Sequence, residues 1–380
     1  MAGLSHYYVD YGAGSDDTGT GAIGAPWKTI QKALDNAVED DGVQVNIKAG
    51  TAQVLAASLD LTAYTTTNGA TAFGDPLILR GYTSAANDGG IGEIDCGGNT
   101  MWAVTTNDNI GLFDLEIHTC GDNHAVVLDS AGVVVNCEIH AGASSPSGKY
   151  LLTLLSGFVI GCYLHDTGDG AARGISGSIS VDCYNNYIVL DNDAEAAYGI
   201  YGCNTFGNII VCQKTDQRAI ESHQRMIGNI IYNTTAGATS AVRNTSSTYG
   251  GSHAPVINNI IVGFSGVGGI GVQTSRATMI GYNAFYNCTT YVSVTTVNFG
   301  DLTANDVALA ADPFTDAANG DFSLTAAAKT ALAAKGFPTS YLGAHANTVP
   351  NLNIGPIQMA AGGAAGGGRP AFGDRTGGKF

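Results

Sequence analysis

Two glutamates at matching places in a repeated pattern carry the most pointed chemistry in this chain. Glu116 stands in Leu115-Glu116-Ile117-His118 and Glu138 in Cys137-Glu138-Ile139-His140; a third segment, Cys162-Tyr163-Leu164-His165, ends on the same histidine. If these segments are strands stacked in register, neighbours lie about 4.8 Å apart. Two carboxylates so placed come near the roughly 5–5.5 Å separation used in retaining glycoside hydrolysis. Like charges at that distance favour keeping one carboxyl protonated, as a general acid requires. Glu116 and Glu138 are therefore the candidate catalytic pair; the plainer expectation is a solvated ladder of polar side chains. Tyr163 and, one segment on, Tyr187 offer ring faces on which sugars can stack. His118, His140 and His165 fill the adjoining column as further glycan contacts. Neutral imidazole is a common metal ligand. Stacked parallel rings do not converge on one point, however, so no metal site is expected.

Other candidates lie outside this column. Arg218 and Arg225 fall in the run Asp216 to Arg225, dense in charged and polar groups. Either can clamp a sugar carboxylate bidentately, against the alternative of a surface loop with internal ion pairs. His165-Asp166-Thr167-Gly168-Asp169-Gly170 and the Asp16-Asp17 loop carry oxygens suited to calcium. Both read first as turns, so no cofactor is expected and calcium is the alternative.

Positioning these groups requires a repeat. The three segments continue as Asn186-Tyr187-Ile188-Val189, Asn208-Ile209-Ile210-Val211, Asn229-Ile230-Ile231-Tyr232, Asn259-Ile260-Ile261-Val262 and Asn283-Ala284-Phe285-Tyr286. Their starts, at 115, 137, 162, 186, 208, 229, 259 and 283, are separated by 22, 25, 24, 22, 21, 30 and 24 residues. Such a period marks a solenoid. The third position is always Ile, Leu or Phe, as an inward column must be when side chains alternate faces. The second and fourth positions vary and are expected to face outward. Asn opens the last five segments, which predicts a buried hydrogen-bonded ladder at a corner, with the Asn backbone taking the bend. The leucine-rich consensus is missing, and a propeller blade needs roughly 40 residues. The expected fold is all-β: a right-handed parallel β-helix.

Composition agrees. The chain has 380 residues, 53 of them Gly, with charged residues at 13% and hydrophobic residues at 44%; this pattern fits many tight turns and excludes disorder. A net charge of −16 argues against nucleic acid as a partner. The longest apolar stretch, Leu151 to Leu164, is interrupted and too short for a membrane span. Met1 runs straight into a strand-like segment, so no signal peptide is expected. The eight cysteines form no CxxC pair and are read mostly as buried, reduced thiols. An amphipathic helix within Ala25 to Val38, with Ile30, Ala33, Leu34, Ala37 and Val38 on one face, is expected to cap the open N-terminal end. The expected divisions are 1–50 for the first strand and capping helix, 51–311 for the coils, 312–358 for an irregular C-terminal cap and 359–380 for a Gly-rich flexible arm. A short helix is expected within Leu324 to Lys335. Arg369, Arg375 and Lys379 make the arm locally basic and are candidate partner-docking residues.

The opening text, Tyr8-Val9-Asp10, Gly14-Ser15-Asp16-Asp17-Thr18-Gly19, Pro26 to Leu34 and Val45-Asn46-Ile47-Lys48-Ala49-Gly50-Thr51, resembles the pectate-lyase-like β-helix superfamily. Asp312-Pro313-Phe314 and Asn319-Gly320-Asp321-Phe322-Ser323-Leu324 resemble its close. The resemblance covers roughly residues 6 to 358 and implies the fold more than an activity, because the superfamily holds lyases, hydrolases, epimerases, tailspikes and inert structural proteins. The RxPxxR run of pectate lyases is missing, as are the short motifs of polygalacturonases. A virion or surface-assembly protein, such as a capsid decoration, fibre or tailspike, is the leading expectation. Its partners would be other virion or surface-assembly proteins and a polysaccharide, and its tailspike-like relatives imply a homo-oligomer, commonly a trimer. The alternatives are a polysaccharide lyase or glycoside hydrolase, and a non-catalytic glycan-binding adhesin.

Overall fold

The computed structural model describes residues 4–36, 42–61, 76–103, 109–120, 124–141, 150–165, 173–191, 197–221, 225–237, 239–244, 254–274, 277–294, 301–333 and 335–336. The chain is a parallel β-solenoid of about seven turns. It divides into two compact units, residues 1–182 with 192–194, and residues 183–191 with 195–380.

In the first unit, short strands climb in register. Gly92–Asp95, Leu115–Cys120, Glu138–Ala141 and Tyr163–His165 form one run, with Ile94 opposite Ile117, Ile117 opposite Ile139 and Ile139 opposite Leu164. All four of these side chains are fully buried, so the expected inward column is present. A second run holds Ser5–Val9, Val43–Lys48, Leu77–Tyr82, Asn109–Phe113 and Val126–Val135, also parallel. Between runs the chain turns sharply. Asp114, Asn136 and Gly161 take φ of 55°, 52° and 61°, which frees the next residue to enter the strand. Gly157 has φ 118° and sits so close to Gly132 that an added Cβ would meet the Gly132 carbonyl oxygen at 1.9 Å. Of the expected N-terminal helix, Ile30–Asn36 is helical, with Ile30, Ala33 and Leu34 buried; Ala37 and Val38 lie outside the described residues.

The second unit repeats the pattern. Tyr187–Leu190, Ile209–Cys212, Ile230–Asn233, Ile260–Val262 and Ala284–Tyr286 stack with Ile188, Ile210, Ile231, Ile261 and Phe285 in successive register, every one fully buried. The Asn ladder forms beside them. The backbone N–H and Nδ2 of Asn186 both donate to Oδ1 of Asn208, at 3.0 and 2.9 Å. The same double contact runs from Asn208 to Asn229, Asn229 to Asn259 and Asn259 to Asn283. The left-handed bend falls one residue earlier than expected, at Asn185, Gly207, Gly228, Asn258 and Tyr282. The ladder residue itself stays extended, which is what aims both its donors at the next rung.

The outward columns of this unit are not solvated. An antiparallel pair, Phe314–Asp316 with Asp321–Leu324, and the helix Ala326–Leu332 lie over them. Phe314, Phe322, Leu324 and Leu332 pack on Val211, Ile230, Ile260, Val262 and Ala284. The described part of the C-terminal segment thus covers the side of these coils, and the short helix expected within Leu324 to Lys335 is present as Ala326–Leu332; residues 337–358 lie outside the described residues. The apolar outward residues explain it: a face of Ile and Val is stable only when covered, at roughly 25 cal/mol per Å² of buried apolar surface. The flexible arm, with Arg369, Arg375 and Lys379, lies outside the described residues.

Candidate functional site

In the first unit the equivalent outward face carries polar and aromatic residues in place of Ile and Val. Glu93, Glu116, Glu138 and Tyr163 follow one another in register. The next outward column holds Asp95, His118, His140 and His165. An irregularity of register after Ile139, opposite the left-handed Thr119 (φ 55°), shifts the pairing but keeps the rings together. His118 and His140 stack with centroids 5.3 Å apart and planes at 9°, and His140 and His165 stack at 4.7 Å and 17°. Tyr163 lies against His165 at 4.5 Å and 22°.

The carboxylates and imidazoles meet diagonally. His118 Nε2 is 3.0 Å from Glu93 Oε1, His140 Nε2 is 3.9 Å from Glu116 Oε1, and His165 Nε2 is 3.3 Å from Glu138 Oε1. Each histidine thus reaches back to the glutamate of the preceding coil. The reason is geometric. The two residues are one strand spacing apart across the sheet and two residues apart along it, a gap that two long side chains leaning toward each other can close. His118 Nδ1 is also 2.8 Å from Thr119 Oγ1 and 4.0 Å from Asp95 Oδ1. The side chains of His118, His140, His165 and Glu138 are between 15% and 22% exposed, so they are mostly shielded but keep an edge to solvent. Glu138, His140 and His165 also bring one ligand atom each within 4.8 Å of one another.

Of the residues singled out in the sequence, Glu116, Glu138, Tyr163, His118, His140 and His165 come together here. Glu93 and Asp95 complete the first rung and were missed, because Gly92-Glu93-Ile94-Asp95 has neither the Leu, Cys or Asn that opens the repeated segments nor the His, Val or Tyr that closes them. Tyr187 stands apart from this group. It packs in the second unit edge-on to Phe322, 6.1 Å between centroids, under the C-terminal segment, and burial pushes its hydroxyl up to about 12. Arg218 belongs to the strand Arg218–Glu221 of the second unit. It donates to Tyr198 Oη at 2.9 Å and Glu221 Oε2 at 3.2 Å, and Arg243 lies 3.9 Å from the same Glu221 oxygen. Arg225 is exposed, and its backbone N–H donates to Asn204 Oδ1.

The calcium alternatives divide. Asp16 accepts from the backbone N–H groups of Lys28 and Thr29 and from Thr29 Oγ1, at 2.8–3.0 Å. That carboxylate pins the loop ahead of the helix through three N–H and O–H donors. The turn from Asp166 to Gly170 lies outside the described residues. The cysteines are free thiols, seven buried and Cys288 partly so. Cys137 and Cys162 stand where the second unit carries Asn, and their Sγ atoms donate to strand carbonyls as the amides do. Among the described residues, no helix is long and apolar enough to cross a membrane.

No known family model matches this chain, and no curated protein is similar to it.

Proposed function

We propose that this chain is a structural, surface-recognition β-helix of the pectate-lyase-like type, a virion component such as a capsid decoration, fibre or tailspike, whose first unit contacts glycans. One observation carries this reading: the stacked row of flat rings, Tyr163, His165, His140 and His118, rimmed by Glu93, Glu116 and Glu138 and partly exposed. Such a face offers apolar ring surface beside donors and acceptors for hydroxyl groups, which is how a sugar is held. The two units furnish equivalent outward columns differently, one with apolar residues buried under the C-terminal segment and one with polar and aromatic residues that are partly exposed. Partly exposed aromatic and polar groups on a stacked scaffold suit recognition. The test is a glycan array probed with the intact protein and with Tyr163→Ala and His140→Ala. Saturable binding that both substitutions weaken supports the reading, and binding that neither changes refutes the site. Recovery of the chain as a stoichiometric component of purified particles tests the virion assignment.

A second reading keeps Glu116 and Glu138 as a catalytic pair in a polysaccharide lyase or glycoside hydrolase, because they stand directly opposite each other on neighbouring strands. Release of reducing or unsaturated ends from acidic polysaccharides, abolished in Glu138→Gln, would establish it. The diagonal contact of each carboxylate with a histidine favours recognition, since a glutamate held by an imidazole is a poorer nucleophile.

A further inference from the structure

We propose that Glu138, His140 and His165 form a binding site for a divalent transition-metal ion of the zinc and copper class. Their ligand atoms lie within 4.8 Å of one another, and one pair, Glu138 Oε1 and His165 Nε2, is already 3.3 Å apart. Ligands on bonds of 2.0–2.2 Å at tetrahedral angles stand about 3.3 Å apart. The widest separation present therefore has to close by about 1.5 Å, shared between two side chains.

The stacked rings seem to oppose this, because parallel imidazoles point their lone pairs side by side. His140 and His165 lie 4.7 Å apart at 17°, the spacing of the strands themselves. A modest turn about χ2, a broad and soft torsion in histidine, brings two such nitrogens onto one ion. Both rings sit at the surface, 22% and 17% exposed, so the turn requires no repacking of the buried Ile139 and Leu164 beneath. The charge also suits a cation. Glu138 is a direct ligand, and the Glu116 carboxylate, 3.9 Å from His140, adds a second negative group beside the site.

The donor set selects the metal. Two imidazole nitrogens and one carboxylate favour zinc, copper or nickel over calcium or magnesium, which want all-oxygen shells. Three protein ligands leave a fourth position for water, as in open zinc sites. His118, with Glu93 and Asp95, continues the column but offers one imidazole only. The site lies on the face proposed for glycans, and its test needs no glycan.

Titration of the tag-free protein with zinc chloride alone by calorimetry should show one saturable equivalent. The affinity should fall at least about tenfold in His140→Ala, His165→Ala and Glu138→Gln, and about tenfold in Glu116→Gln through the supporting charge. Copper(II) added at one equivalent should show two coordinated nitrogens by electron paramagnetic resonance in the unaltered protein and one in His140→Ala. The unaltered protein alone decides the matter if a variant folds poorly. No saturable zinc binding, a single-nitrogen copper spectrum, or zinc binding undiminished in the His140→Ala/His165→Ala double variant would overturn the site. A failed zinc titration leaves the glycan array result standing, so the two readings fail separately.

Discussion

Replacing Asp306 by Asn should remove a pH dependence that the unaltered fold carries. Asp306 receives the end of the Asn ladder: the Asn283 N–H donates to its Oδ1 at 2.8 Å. At every earlier rung the residue in this place is an amide, whose Nδ2 donates to a strand carbonyl, as Asn208 does to Cys183 and Asn283 to Val256. A carboxylate has no proton for that role. Burial raises the Asp306 carboxyl from 3.8 to about 7, against the two donations from Asn283, with Asp301 adding to the rise. A folded-state value above the unfolded one means the folded state holds the proton more tightly between about pH 4 and pH 7. The stabilisation is complete below pH 3.8 and is lost as pH rises through 7. The gap corresponds to a ceiling of about 4 kcal/mol, which we halve to about 2 kcal/mol because the group is only half-buried and screened by water. Denaturant midpoints measured from pH 4.5 to pH 8.5 on both proteins give the difference directly, with other titrating groups cancelling. The unaltered protein should lose stability relative to Asp306→Asn as pH rises, so that the variant is the more stable at pH 8. Parallel curves for the two proteins would refute the ladder-end account.

Asn229→Ala should cost about 3 kcal/mol in unfolding free energy, since it strands the donors of Asn208 and removes those to Asn259 and Thr205 in a fully buried site; a midpoint shift under about 0.5 kcal/mol would count against the ladder as a stabilising element. Gly157→Ala should destabilise the first unit by about 2 kcal/mol or more, read from the same curves, because φ of 118° and the Gly132 carbonyl leave no place for a Cβ. A thiol reagent at pH 8 should find at most Cys288 in the native protein and all eight cysteines after unfolding, because seven are buried and burial pushes even the Cys288 thiol up to about 11. Phe322→Ala should loosen the C-terminal segment and restore ordinary ionisation to Tyr187, seen as an earlier rise in tyrosinate absorbance on alkaline titration.

The repeat made the fold legible. Side chains alternate along a strand, so a column of Ile, Leu and Phe at one position of eight segments can only be a buried interior, and each of those residues is buried. The Asn ladder was legible for the same reason, since an amide repeated at a fixed place can bond its copies in neighbouring coils. The positions of Glu116, Glu138 and the three histidines followed from register alone.

What the sequence could not decide was which outward residues stay outward. Tyr163 and Tyr187 occupy the same place in the repeat. One joins a stack of histidine rings and the other is packed beneath Phe322, because a segment more than 100 residues later folds back over the second unit. The diagonal pairing of each histidine with the preceding glutamate was also hidden. Local order along the chain sets which face a side chain takes, whereas contacts between coils depend on how long side chains lean across a gap that only the assembled sheet defines. Periodicity thus determined the scaffold, and the folding back of the C-terminal segment decided which outward residues of the second unit are buried.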